Sequence, residues 1–168
     1  PKMVERAVAA GVHAQVLRVQ DVRRVVAEPY DVVLSNFGAL NCVPLLDAAA
    51  AVRLSVRSGG VFVCVTISKH CPAEWMALAA QGRWPFRRGA VVPVKAMPVP
   101  MHYATPARWA AALGTEFACE GVEALGLLAA PPDLGGQLGL GSQIEPYLAR
   151  LPGLRLLGDH TLTTFRRS

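Results

Sequence analysis

Residues 30–41, Tyr-Asp-Val-Val-Leu-Ser-Asn-Phe-Gly-Ala-Leu-Asn, constrain the fold of this chain more than any other stretch. Asp31 to Ser35 carry a β-branched core and read as a short buried strand. The run stops at Ser35-Asn36, and Phe37-Gly38 opens a loop ahead of the next helix. A buried strand that ends in polar residues and passes through a glycine loop into a helix is how open α/β sheets build ligand crevices.

The flanking text repeats the same alternation. Residues 2–10 read as a helix stopped by Gly11, 14–19 as a strand with Leu17 and Val19 on one side, and 22–27 as a short helix broken by Pro29. Residues 44–57 give the clearest helical spacing, with Leu45, Ala49, Val52 and Val56 on one face. Gly59-Gly60 is read as ending that helix and releasing a strand over 61–67, apolar on both faces as an interior parallel strand should be. The order α-β-α-β-α-β predicts a parallel, doubly wound sheet.

Beyond residue 71 the pattern changes. Helices are predicted over 72–80 and 106–113, the second capped by Thr105 and closed by Gly114. Between them, 81–104 reads as an irregular cover rich in Pro, aromatic and basic residues, among them Trp84, Phe86 and Lys95. Strands follow over 116–127 and 154–166. Only Leu151-Pro152-Gly153 separates Arg150 from the last strand, so it most simply pairs antiparallel with 116–127. Near Ser142 a capping-box pattern meets Pro146, which sets the helix start at Glu145.

Bulk properties narrow the partners. The chain has 168 residues, 52% of them hydrophobic and 17% charged, which suits a single globular domain over 1–168 with a substantial core. The longest apolar run, 61–67, is far below the roughly 20 residues that cross a bilayer, so no membrane partner is expected. The polar start Pro1-Lys2-Met3-Val4-Glu5-Arg6 is not a signal peptide. The four cysteines form no CxxC pair, which points to reduced thiols in a cytoplasmic protein. Net charge is +5, but the basic residues are scattered rather than clustered with aromatics, which argues against a nucleic-acid partner.

Taken together, residues 30–36 with Gly38-Ala39-Leu40-Asn41, and then Arg57-Ser58-Gly59-Gly60-Val61-Phe62-Val63, resemble the fourth and fifth strand motifs of class I S-adenosylmethionine-dependent methyltransferases of the small-molecule branch. Gly158-Asp159-His160 through Phe165-Arg166-Arg167 is similar to a family C-terminus. The resemblance implies a Rossmann-like three-layer α/β sandwich, its sheet mostly parallel with an antiparallel C-terminal strand. It also implies S-adenosylmethionine as cofactor and a small-molecule methyl acceptor as partner. The family's glycine-rich turn after the first strand and its ribose-binding acidic residue are not matched. Pro1-Lys2-Met3 resembles the helix that follows that residue, so the expectation is an N-terminally truncated chain, lacking the first strands and inactive by itself. Residues 135–141 follow a Pro-Pro loop rather than a strand and read as a linker, not a substitute turn.

By the same resemblance, Asp21 would accept from the adenine amine and Val22 flank the ring, while Ser35, Asn36 and Phe37 line the methionine side. Asp21 also suits the N-cap of the 22–27 helix, and Asn36 and Asn41 suit turns. Asn41, Arg87, Arg88 and Tyr103 would meet the acceptor. If the acceptor must lose a proton, His70 and Glu74, just past the 61–67 strand, are the candidate bases. His70, Cys71 and Glu74 also suggest a metal, but no further ligand cluster joins them and none is expected. Two other readings compete: a non-catalytic binding or scaffold fragment, and a nucleic-acid methyltransferase. Against the latter, Ser35-Asn36-Phe37-Gly38 stands where an Asn/Asp-Pro-Pro-aromatic tetrad would be needed.

Overall fold

A computed structural model describes residues 2–85, 88–94, 97–129, 131, 134 and 141–168. Phe86, Arg87, Lys95 and the glycine-rich 135–140 lie outside the described residues. The elements are α1 (Lys2–Ala9), β1 (Tyr30–Ser35), α2 (Leu45–Ser55), β2 (Val56–Ile67), α3 (Pro72–Ala80), β3 (Val91–Val94), β4 (Met97–Pro100), α4 (Pro106–Leu113), β5 (Phe117–Leu125), α5 (Gly141–Leu148) and β6 (His160–Arg167). Short 3-10 turns cover Val19–Arg24, Ala39–Cys42 and Leu154–Leu156.

One sheet has the order β1-β2-β6-β5. β1 and β2 are parallel, and β6 is antiparallel to both β2 and β5, so three strands share a direction and the C-terminal strand runs against them. This is the Rossmann-like arrangement that the strand text implied. β6 reaches further than expected, because it inserts between β2 and β5 instead of only pairing with β5.

Register explains which side chains form the core. Phe62 pairs with Phe165 and Cys64 with Thr163, which puts them on one face of the sheet. There Phe62, Phe165, Cys64 and Phe117 pack with Ala48, Ala49 and Val52 of α2 and with Trp109 and Leu113 of α4. Phe62 stacks on Phe165 at 6.1 Å and tilts against Trp109 at 5.8 Å. The small alanines of α2 allow close approach to the sheet. The opposite face of β1 is open, with Val32 62% and Leu34 63% exposed.

Several expected boundaries move. Residues 14–19 form no strand: the chain is irregular over 12–18 and then enters the 3-10 turn Val19–Arg24 in place of the 22–27 helix. Alternating apolar residues make a strand only when a neighbour supplies the ladder, and β1 pairs only with β2 among the described residues. α2 stops at Ser55 and β2 begins at Val56. Gly59 and Gly60 therefore sit inside the strand, where Tyr30 pairs with Val56 but Val32 with Val61. The extra residues form a bulge there, and Gly59 takes φ +76 to allow it. The 81–104 cover contains an antiparallel hairpin, β3 with β4. The helix near Ser142 runs from Gly141 with Pro146 inside it. No described helix is long and apolar enough to cross a membrane.

Candidate active site

β1, β2 and β5 end at one edge of the sheet, and β6 begins there, because it alone is reversed: Ile67 and Leu125 both pair with His160. Topology thus gathers Ser35-Asn36, Ser68-Lys69-His70 and Asp159-His160 at one place. α3 and the cover add Glu74, Arg88 and Tyr103.

At the end of β1 the chain turns sharply. Phe37 adopts a left-handed φ of 53 and Gly38 one of 67. The Phe37 N–H donates to Asn36 Oδ1 at 2.8 Å, and the Gly38 N–H donates to the Val65 carbonyl at 3.0 Å. A side chain at position 38 would come within 2.6 Å of Ile67 Cγ1, so glycine is required by closeness as well as by conformation. The turn leaves Phe37 84% exposed. A bulky residue held at positive φ stores strain of the kind that collects at functional sites.

Asn41 is 1% exposed and fully occupied inside the fold. Its amide donates to the carbonyls of Ile67 and His102, both at 3.1 Å, and its Oδ1 accepts from the Ile67 N–H at 2.8 Å. It ties the turn after β1 to the end of β2 and to the segment entering α4.

Arg88 lies at the centre of a buried ionic cluster. Its Nε donates to Glu74 at 3.0 Å, and its Nη1 donates to the carbonyls of Ser68 at 2.6 Å and Asp159 at 2.9 Å. Nη2 also bonds both the Glu74 and Asp159 carboxylates. Burial would lower the Arg88 pKa, but the two carboxylates more than offset it and raise it. Burial would likewise raise the Asp159 pKa, yet hydrogen bonds from His160, at 3.0 Å, and from Arg88 hold it below the ordinary value. Burial raises the pKa of the Tyr103 phenol nearby; the Arg88 charge opposes this and the Glu74 charge adds to it. Ser68 and Thr161 hydroxyls share a 2.8 Å hydrogen bond beneath the cluster.

Cys71, Glu74 and Asp159 present ligand atoms within 4.8 Å of one another. The Arg88 guanidinium already lies against both carboxylates, and burial raises the Cys71 pKa, which opposes the thiolate. The cluster is therefore an ion-pair network in this structure.

The predicted site residues divide into separate groups. Glu74 and Arg88 come together, with Tyr103 beside them along a cavity of about 290 Å³. His70 is exposed and sets its ring edge-on to Trp75 at 5.8 Å. Val22 and Ser35 border a separate apolar cavity of about 180 Å³ between the 3-10 turn Val19–Arg24, β1 and α2. Asp21 pairs with Arg24 at 3.3 Å. Arg87 lies outside the described residues. A larger groove, about 870 Å³, is lined by the first turn of α2, by Lys69 and Arg88, and by Met101 to Ala104 with Arg108.

Asp159 and Arg108 were not singled out from sequence. Asp159 left a trace in the Gly158-Asp159-His160 text but needed Arg88, distant in sequence, to reveal its role. Arg108 did leave a usable signal: it is a cation in the first turn of α4, where the helix dipole disfavours positive charge.

No family model matches the chain, and no curated protein matches it in sequence. Solved structures do match its fold. One comes from Mesorhizobium loti and is described as an S-adenosylmethionine-dependent methyltransferase. It is 23% identical, with a TM-score of 0.56, over 99% of this chain and 76% of its own. Another, from Listeria monocytogenes and described as a putative S-adenosylmethionine-dependent methyltransferase, is 18% identical with a TM-score of 0.55, over 94% of this chain and 70% of its own. A third belongs to work on conversion of a disulfide bond into a thioacetal group during echinomycin biosynthesis. It is 20% identical with a TM-score of 0.53, over 98% of this chain and 60% of its own. The chain has the fold of these proteins and spans between 60% and 76% of their length.

Proposed function

We propose that the protein transfers the methyl group of S-adenosylmethionine to a small-molecule acceptor at the edge beyond the C-terminal ends of β1 and β2. The observation that carries this reading is positional. The groove and the strained Phe37-Gly38 turn adjoin the strand ends where open α/β sheets bind ligands, in a fold shared with two methyltransferase structures.

In this reading part of the cofactor is accounted for, and its support is that Val22 and Ser35 border one cavity. Ser35, the Asn36 amide and the Phe37 ring suit the methionine side, and the Asp21 carboxylate with Val22 suits the adenine side. No residue in this set serves the ribose. Bound cofactor would supply a sulfonium methyl, and the protein's contribution would be to align the acceptor and exclude water. In this reading His70, exposed on the turn after β2 and next in sequence to the groove-lining Lys69, is the base for an acceptor that must lose a proton. Glu74 instead positions Arg88, because its carboxylate is buried against that guanidinium. Asn41, whose hydrogen bonds are all internal, shapes the site from behind.

The test is calorimetric titration of the product of the complete coding sequence with S-adenosylmethionine, followed by labelled-methyl transfer to a panel of small acceptors. Binding that weakens roughly tenfold in Asn36→Ala, as loss of one strong hydrogen bond would give, supports the reading. A folded protein that does not bind S-adenosylmethionine overturns it.

A further inference from the structure

Resting on that reading of the edge as the acceptor site, we propose that the acceptor is an oxyanion, a carboxylate or a phosphate, held between Lys69 and Arg108 across the large groove. Arg88, the cation that sequence text offers first for this role, is already committed to Glu74, Asp159 and two carbonyls. Lys69 and Arg108 are different. Both line the groove and both are exposed. Neither side chain has a hydrogen-bond or ion-pair partner among the described residues. They stand on separate elements, Lys69 on the turn after β2 and Arg108 in the first turn of α4, so the fold brings them to one groove.

The backbone adds to the same field. The first turns of both α2 and α4 border the groove. The amino end of α2 has no side-chain cap, and its free N–H groups carry partial positive charge. Asp47 is the carboxylate on this lining, and it accepts from Gln20 at 3.3 Å. The carboxylates of Glu74 and Asp159 border the neighbouring cavity, where Arg88 and His160 answer them. Two exposed cations with no protein counter-ion, one placed where its own helix dipole opposes it, suit a ligand that brings the negative charge. Met101, Tyr103 and Ala104 supply an apolar wall for the rest of that ligand.

The experiment uses benzoate and phenyl phosphate as probes, with benzamide as the neutral analogue, in calorimetric titrations at low ionic strength. An anionic probe should bind and benzamide should not, and added salt should weaken binding. Lys69→Gln and Arg108→Gln should each weaken it roughly tenfold and the double variant should abolish it, while melting temperature stays unchanged because both side chains are exposed. Arg155→Gln, an exposed cation that does not line the groove, should bind as wild type does. Equal binding of benzamide, or an equal loss in Arg155→Gln, overturns the proposal. S-adenosylmethionine binding is read separately. Anion binding without it sinks the methyltransferase reading and keeps the groove assignment; cofactor binding without anion binding sinks this proposal alone.

Discussion

Asn41 and Ile67 bond each other in both directions, the Ile67 N–H donating to Asn41 Oδ1 at 2.8 Å and the Asn41 amide donating to the Ile67 carbonyl at 3.1 Å. This side chain acts as a missing piece of backbone ladder at the point where β2 leaves the sheet. Asn41→Ala would orphan the Ile67 N–H and carbonyl together with the His102 carbonyl. At about 1–3 kcal/mol for each buried unpaired group, partly relieved by water, a total loss of roughly 3 kcal/mol is expected. Urea unfolding measures it, and a loss below about 1 kcal/mol would refute the clamp.

Arg88 and Glu74 should be strongly coupled. Arg88→Met takes the guanidinium away from a carboxylate that is 1% exposed, and breaking a buried pair costs about 3–5 kcal/mol. Arg88→Lys should recover little, since a single ammonium cannot reproduce the fork that contacts two carboxylates and two carbonyls. Adding Glu74→Gln to Arg88→Met should restore part of the loss. A double variant less stable than Arg88→Met would contradict this account.

Stability should fall in acid through Asp159. Its folded pKa lies below the ordinary 3.8, because the bonds from His160 and Arg88 outweigh burial. The stabilisation is therefore fully present above the unfolded value and disappears as pH drops through the folded one. The stability difference between wild type and Asp159→Asn should be present in mild acid and shrink below about pH 4, as the carboxylate takes up its proton. Denaturation curves at stepped pH give the answer, and a difference that grows in acid would be the wrong sign.

The uncovered face of β1 should make the 168-residue chain self-associate. Tyr30, Val32 and Leu34 are each more than half exposed on a strand with one free edge among the described residues. Exposed apolar edge strands are templates for pairing. Replacing Val32 and Leu34 with Lys should lower association in sedimentation velocity runs without unfolding the protein. Equal association in both forms would show that another surface is responsible.

Local chemistry was enough for the elements that depend on local signals. α3 and α4 lie where Pro72, Thr105, Pro106 and Gly114 place their ends, because caps and fixed φ angles act within one turn. The parallel pair β1–β2 and the reversal of the C-terminal strand were legible, but that strand begins at His160 and not at 154, where a 3-10 turn lengthens the spacer beyond the three residues expected. Pairing was not legible. Residues 14–19 have strand-like text but no ladder partner, Val56 has helical spacing but joins β2 through Tyr30, and Gly59-Gly60 serve a bulge instead of a helix end. Each depends on a neighbour's backbone, which no periodicity within the segment can reveal. The site follows the same division. Sequence text marked Ser35 to Gly38 and His70 to Glu74 as chemistry-bearing ends of strands. The partners of Arg88, from Ser68 to Asp159, and the groove that Lys69 shares with Arg108 arise only when the tertiary fold brings residues dozens of positions apart to one edge.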